Sequence, residues 1–195
     1  MTQKSKTYTN SFSGKGVFPP KYAFTLLIPL RSIFLSPGKL ARRLHLKDDH
    51  IVLEIGPGPG YFSPHIARKV PQGRLVLFDI QQEMLDLARK RLTKRNIHNV
   101  DYSLSNGYNL NFCDAFYDRI FMVTVIGEID NQERYLAEIH RVLKKDGLLS
   151  ISELAGDPDK ITRDDLKALL SASGFYLHEA FGNERNYTMN FKKKH

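Results

Sequence analysis

The sequence holds a single cysteine, Cys113, in 195 residues. One thiol excludes an internal disulfide framework and fits a reducing, cytoplasmic setting. It also argues against a thiolate metal site, and no Cys-x-x-Cys or His-x-x-x-His spacing occurs, so no metal is expected. Long apolar runs are missing as well. The stickiest stretch, Tyr22 to Leu35, is broken by Pro29 and Arg31 and is too short to span a bilayer. The first residues, Met-Thr-Gln-Lys-Ser-Lys, have no adjacent apolar segment and do not read as a secretory signal. Internal repeats and low-complexity segments are absent too.

What is present is ordinary for a globular domain: 42% hydrophobic and 26% charged residues, in a length that suits one domain with a proper core. The net charge of +8 raises the question of nucleic acid or anionic lipid. The basic excess is spread out, however. Lys39, Arg42, Arg43 and Lys47 form one cluster, Arg89, Lys90, Arg91, Lys94 and Arg95 a second, and Lys192 to Lys194 a third. None is interleaved with exposed aromatics in the manner of a nucleic-acid platform, so nucleic acid is not the expected partner.

From about residue 50 the chain alternates short β-rich runs with amphipathic helical runs, which predicts an α/β fold with a mostly parallel sheet. The predicted strands are Ile51 to Ile55, Arg74 to Phe78, Val100 to Leu104, Tyr117 to Val125 and Leu148 to Ser152. Helices are predicted over Tyr61 to Val70, Gln81 to Lys94 and Gln132 to Leu143, where apolar residues recur at helical spacing. Asp146-Gly147 reads as a turn. Thr162 is an expected N-cap for a helix ending at Gly174, with Asp164 and Asp165 suited to its positive end. Phe175 to Phe181 and Tyr187 to Phe191 then read as two strands around Gly182-Asn183, a C-terminal antiparallel hairpin that makes seven strands in all. Before residue 48, Ser36-Pro37 opens a basic helix to about Leu46. Residues 1–47 are therefore expected to form an N-terminal helical cap segment, and 48–195 the core.

The strand-to-helix loop Glu54-Ile-Gly56-Pro57-Gly58-Pro-Gly60 is the main chemical feature. Glycines let the backbone turn sharply and leave room for a ligand against the main chain, and the helix start that follows offers free N–H groups. A dinucleotide fingerprint needs its third glycine at position 61, which is Tyr61. A phosphate-binding loop needs Gly-Lys-Ser/Thr, and Gly60 is followed by Tyr-Phe. Asp79, at the end of the second strand, is suited to the two ribose hydroxyls of an adenosine.

Val52-Leu-Glu-Ile-Gly-Pro-Gly-Pro-Gly60 closely resembles the first motif of the class I S-adenosylmethionine methyltransferases, in which an acidic residue precedes Gly-x-Gly-x-Gly by two positions. Leu77-Phe-Asp-Ile80 followed by Met84 resembles the second motif, and Ser105-Asn106-Gly107 stands where the family usually has Gly-Asp-Ala. Asp118-Arg-Ile-Phe is similar to the run before the fourth strand, and Glu138 to Gly147 to the helix and turn before the fifth. The resemblance covers roughly residues 48 to 193, with the flavour of the ubiquinone/menaquinone-biosynthesis-type small-molecule enzymes. It implies a Rossmann-like seven-stranded sheet with helices on both faces, S-adenosylmethionine as methyl donor and S-adenosylhomocysteine as product.

Carried onto this sequence, the resemblance implies that Gly56, Pro57, Gly58 and Gly60 approach the methionine moiety and that Glu54 favours its α-amino group. Asp79 would hold the ribose, Ile80 and Met84 flank the adenine, and Asn106 and the Gly107 N–H read the adenine edge. Simple core packing would explain Ile80 and Met84 equally. Asn106 replaces the usual Asp, and its amide oxygen can still accept the adenine amino hydrogen. Lys145-Asp146 replaces the family's Pro-Gly at the turn.

The acceptor is less visible. Val123-Thr-Val-Ile-Gly-Glu128 stands where amino-methylating enzymes carry Asp/Asn-Pro-Pro-Tyr/Phe, and no Pro-Cys nucleophile is present. Glu128 is the best-placed group to meet an acceptor or act as a base, a surface or capping role being its plain alternative. Tyr22 and His45 come from the N-terminal segment, which in the resembling family covers the donor and helps form the acceptor site. The Tyr22 to Leu35 stretch is expected to pack on the core and at the same time act as a lid over a hydrophobic small-molecule acceptor. A peripheral membrane contact aided by Lys39, Arg42 and Arg43 is the other reading. A protein- or RNA-directed enzyme, or a non-catalytic donor-binding module, are the alternatives to a small-molecule enzyme.

Overall fold

Seven strands and five helices follow one another along a computed structural model that describes residues 35–107 and 109–194. Ser36 caps the first helix, α1 (Pro37–Arg43), its hydroxyl accepting from the Lys39 N–H at 3.2 Å with Pro37 in the first turn. The helix ends short of Leu46 because His45 takes a left-handed φ of 47°, which no helix continues. The described part of the N-terminal segment is packed into the core: Leu35, Leu40, Ala41 and Leu44 are all buried.

The sheet order is β3-β2-β1-β4-β5-β7-β6. It is built from β1 (Ile51–Ile55), β2 (Arg74–Asp79), β3 (Val100–Leu104), β4 (Tyr117–Val123), β5 (Leu143–Glu153), β6 (Phe175–Gly182) and β7 (Tyr187–Lys193). The first five strands pair in parallel; β7 runs antiparallel to both β5 and β6. Chain order reverses between β1 and β4, the switch point at whose carboxyl ends ligands of open α/β sheets sit.

Strand residues alternate between two apolar clusters. Leu53, Ile55, Ile120, Met122, Leu149 and Ile151 point to α4 (Gln132–Val142) and α5 (Arg163–Ala172). Val52, Leu75, Leu77 and Phe121 point to α1, α2 (Ser63–Ala67) and α3 (Gln82–Thr93). Parallel strands buried on both faces are what the continuous apolar runs at Ile51 and Arg74 required.

Three boundaries differ from the sequence reading. The helix expected over Tyr61 to Val70 shrinks to the five residues of α2, because Phe62 gives no side-chain cap and the last turns tighten at Lys69 and Val70. Even so Phe62, Ile66 and Val70 are all buried. β4 stops at Val123, where Thr124 turns to φ 56° and a 3-10 turn over Ile126–Glu128 begins. β5 starts at Leu143, directly after α4. Its register steps from Tyr117↔Leu143 to Arg119↔Leu148, so the expected Asp146-Gly147 turn survives as a bulge within a longer strand.

Candidate donor and acceptor site

The glycine loop lies at the carboxyl end of β1, between the ends of β2 and β4. Gly56, Gly58 and Gly60 have φ of 65°, 53° and 75°, the left-handed region that glycine enters without strain. Gly56 is also tight: a Cβ there would stand 2.6 Å from Cγ2 of Val125. Pro57 is buried, and its carbonyl accepts from the Gly60 N–H at 3.1 Å, closing the turn.

Two carboxyl groups converge on this loop. Asp79 accepts from the Gly58 N–H at 3.2 Å through one oxygen and from the Gln81 N–H at 3.0 Å through the other. Burial raises its pKa, and backbone hydrogen bonds from Gln81, Gly58 and Ile80 oppose the rise. Three backbone donors on two oxygens still leave lone-pair capacity to accept from a hydroxyl. Glu54 is 2% exposed, and Ser63 donates its hydroxyl to it at 2.6 Å. Burial pushes the Glu54 carboxyl up to about 8, the Ser63 bond works the other way, and nearby Asp79 adds to the rise. A cationic amine brought beside Glu54 would restore the carboxylate.

The remaining expected positions differ in character. Ile80 is 47% exposed, so it leaves an apolar face open beside Asp79, whereas Met84 is 2% exposed and packed inside. Leu104, the last residue of β3 and the register partner of Asp79, is 55% exposed on the same edge. The Asn106 amide oxygen accepts from the Asn109 N–H at 3.1 Å, and the Gly107 N–H donates to the Ser105 hydroxyl at 3.0 Å. Both groups expected to read an adenine edge are thus engaged within their own polar turn, so a ligand there competes with local hydrogen bonds.

Glu128 is exposed in the 3-10 turn after β4, on the same edge as the glycine loop. His45 is not on that edge. Arg119, near the start of β4, donates to the Leu44 carbonyl at 2.8 Å and to the His45 carbonyl at 3.2 Å, and it pairs in register with Val52. That sets His45 at the amino ends of the strands, roughly 13 Å of extended chain from the loop. There its Nε2 contacts Glu179 at 2.8 Å. The expected acceptor role of His45 therefore fails on position. Tyr22 lies outside the described residues.

Sequence reading missed Ser63, Val125 and Glu153. Glu153 ends β5 fully buried, and only its place as a charged residue closing the apolar run Leu148 to Ile151 hinted at it. The Glu138-to-Arg141 motif turns out to be a staple. Glu138 accepts from the Leu110 N–H, and Arg141 bonds Glu138, Asp114 and the Phe112 and Leu110 carbonyls, fastening the chain after β3 to α4. Among the described residues no group of three His, Cys, Asp or Glu is placed to hold a metal, and no helix is long and apolar enough to cross a membrane.

A family model described as a methyltransferase domain matches residues 52–147. The ubiquinone/menaquinone biosynthesis C-methyltransferase UbiE of Hydrogenovibrio crunogenus is 33% identical over 112 residues, covering 56% of this chain and 44% of that protein. Its namesake from Coxiella burnetii is 30% identical over 139 residues, 70% of this chain and 54% of the relative. The chain spans about half the length of these curated relatives. Among solved structures, a SAM-dependent methyltransferase from Aquifex aeolicus matches with a TM-score of 0.84 and 23% identity, covering 90% of this chain and 98% of that one. With the glycine cradle, Glu54 and Asp79 on one edge of this sheet, the chain carries a match to the methyltransferase domain family over residues 52–147 and shares its fold with S-adenosylmethionine-dependent methyltransferases.

Proposed function

We propose that the protein transfers a methyl group from S-adenosylmethionine to a small lipophilic acceptor, a quinone precursor being the first candidate. The observation that carries the donor half is the convergence of Glu54, Asp79 and the three positive-φ glycines at one strand edge. The acceptor half rests on the relatives, whose names specify quinone biosynthesis.

S-adenosylmethionine supplies a methyl group on a positively charged sulfur, already activated for in-line displacement. The protein's share is then largely binding and orientation in a dry site. Glu54, ionising as an ammonium group arrives, holds the amino acid end over Gly56, Gly58 and Gly60. Asp79 binds the ribose, and the exposed side of Ile80 supports the adenine, with Met84 behind it. Asn106 and the Gly107 N–H reach the adenine edge after exchanging their local bonds. Glu128 meets the acceptor from the turn after β4, serving as base where a proton has to leave. Tyr22, in the segment before Leu35, is assigned to the acceptor side in this reading.

Calorimetry with S-adenosylmethionine and S-adenosylhomocysteine, followed by donor carrying a labelled methyl group offered to cell extract, tests both halves. Binding of both molecules with label recovered in the lipid fraction is expected. Failure to bind either one would remove the donor reading, and label confined to RNA or protein would remove the acceptor reading.

A further inference from the structure

The basic excess of the chain gathers on one side of the sheet. Three stretches there hold no Asp or Glu: residues 35–47 carry four Lys and Arg, residues 62–73 carry two, and residues 87–100 carry five. They include α1, α2 and most of α3, whose apolar sides share one core cluster. Their basic ends meet. A Cβ on Gly38 of α1 would stand 3.8 Å from Nε2 of His65 on α2 and 3.9 Å from Nη1 of Arg42. Arg68, just past α2, reaches to within 3.5 Å of the carbonyl of Arg95, just past α3. Burial lowers the His65 pKa, and Lys69, Arg68 and Arg42 lower it further, so this imidazole feels cations from two helices.

Arg42, Arg68, Lys69, Lys94 and Arg95 are all exposed, and among the described residues none of them takes part in an ion pair. Other cations are neutralised. Arg74, next along the same edge, pairs with Asp101, and Lys144 pairs with Asp118. Like charges left facing one another work against the compact state. The row is also remote from the donor site. Lys69 lies five residues ahead of β2 and Arg95 five ahead of β3, and Asn99 ties the two regions by donating to the Ala67 and Val70 carbonyls at 2.9 and 2.8 Å. That is the amino edge of the sheet, whereas the glycine loop and Asp79 stand at the carboxyl edge.

A row of unpaired cations complements a surface of repeated negative charge. Two features favour a bilayer over nucleic acid. Among the described residues the row has no exposed aromatic on which a base could stack. The chain also runs into α1 from the apolar stretch Tyr22 to Leu35, and the first acid of the whole sequence is Asp48. Cations beside apolar residues are the combination that membrane-surface segments use.

We propose that the basic row formed by Arg42, Arg68, Lys69, Lys94 and Arg95 docks the protein on the surface of an anionic lipid bilayer. The choice of lipid rests on the lipophilic-acceptor reading above. The test is co-sedimentation of the full chain with phosphatidylcholine vesicles, with and without phosphatidylglycerol. Wild type should bind the anionic vesicles only, and high salt should release it. Arg42→Gln, Arg68→Gln and Arg95→Gln combined should bind about 100-fold more weakly, each cation near an anionic surface contributing roughly fivefold. Lys at the same three positions keeps the charge and should bind as wild type does. Both triple variants should keep the wild-type melting temperature and donor affinity, because the row lies at the opposite edge from the loop. Equal binding to neutral and anionic vesicles, or undiminished binding by the glutamine variant, would overturn the proposal. A lysine variant as weak as the glutamine one would overturn it too, because charge would then not be the cause. RNA that strips the protein from anionic vesicles at equal phosphate concentration would assign the row to nucleic acid instead. Vesicle binding needs neither donor nor transfer, so it supports docking whether or not methyl label is found in lipid, and the two readings fail separately.

Discussion

Asp79 is the residue on which the proposed donor site turns, because its two oxygens organise the loop through Gly58 and Gln81. Asp79→Ala should weaken S-adenosylmethionine binding by about 10- to 100-fold, the worth of hydrogen bonds to a charged group, and the melting temperature should fall as well, because the Gly58 and Gln81 N–H groups lose their acceptor. Calorimetry on the variant checks it, and an unchanged affinity would reject the ribose contact. The sequence made Asp79 and Glu54 readable because both close strands and flank the glycines. It did not make Ser63 readable, since a serine nine positions from Glu54 carries no spacing signal and meets it only after the chain has turned through the loop. His45 shows the converse: a titratable residue in a plausible segment, carried to the wrong edge of the sheet by the Arg119 carbonyl contacts.

At the scale of elements, the loop between β1 and α2 is over-determined. Gly56 combines a φ of 65° with a wall formed by Val125. Gly56→Ala should lower stability by about 1–2 kcal/mol from the backbone alone, with a further loss from the contact and with donor binding reduced. Adding Val125→Ala should relieve the contact and leave the backbone cost, so the double variant recovers only part of the melting temperature. Thermal unfolding of the two variants separates these effects. Element types were legible throughout, because apolar alternation and helical spacing are local properties. Element ends were less so. α2 is cut short by weak capping, and β5 runs back to Leu143 because Tyr117 offers a pairing partner that local sequence cannot announce.

For the whole molecule, two buried acids dominate the pH dependence above the histidine range. Glu54 and Glu153 are raised from the ordinary 4.5 to about 8 and about 9. An acid with a raised folded pKa keeps its proton where the unfolded chain has lost it. Its contribution is complete below the unfolded value and drains away until the folded group ionises. The lowered histidines, His50, His65 and His140, act in the opposite sense but only below their ordinary 6.5. Between pH 7 and 8 the melting temperature of the donor-free protein should therefore fall, with each acid contributing at most ~1.4 kcal/mol per pH unit. Glu54→Gln and Glu153→Gln should each flatten the slope. A melting temperature that climbs across that interval would contradict the assignment.

The sequence alone determined the α/β class, the seven strands, the hairpin and the place of the glycine loop, because these depend on local periodicity, turn residues and a motif contiguous in the chain. Tertiary structure alone decided that Ser63 holds Glu54, that Val125 walls the glycine cradle, that His45 sits at the far edge, and that Glu153 lies buried at the end of β5. Those are relations between strands that become neighbours only when the order β1-β4-β5-β7 is set, and register across a sheet is a property of pairing rather than of any one segment.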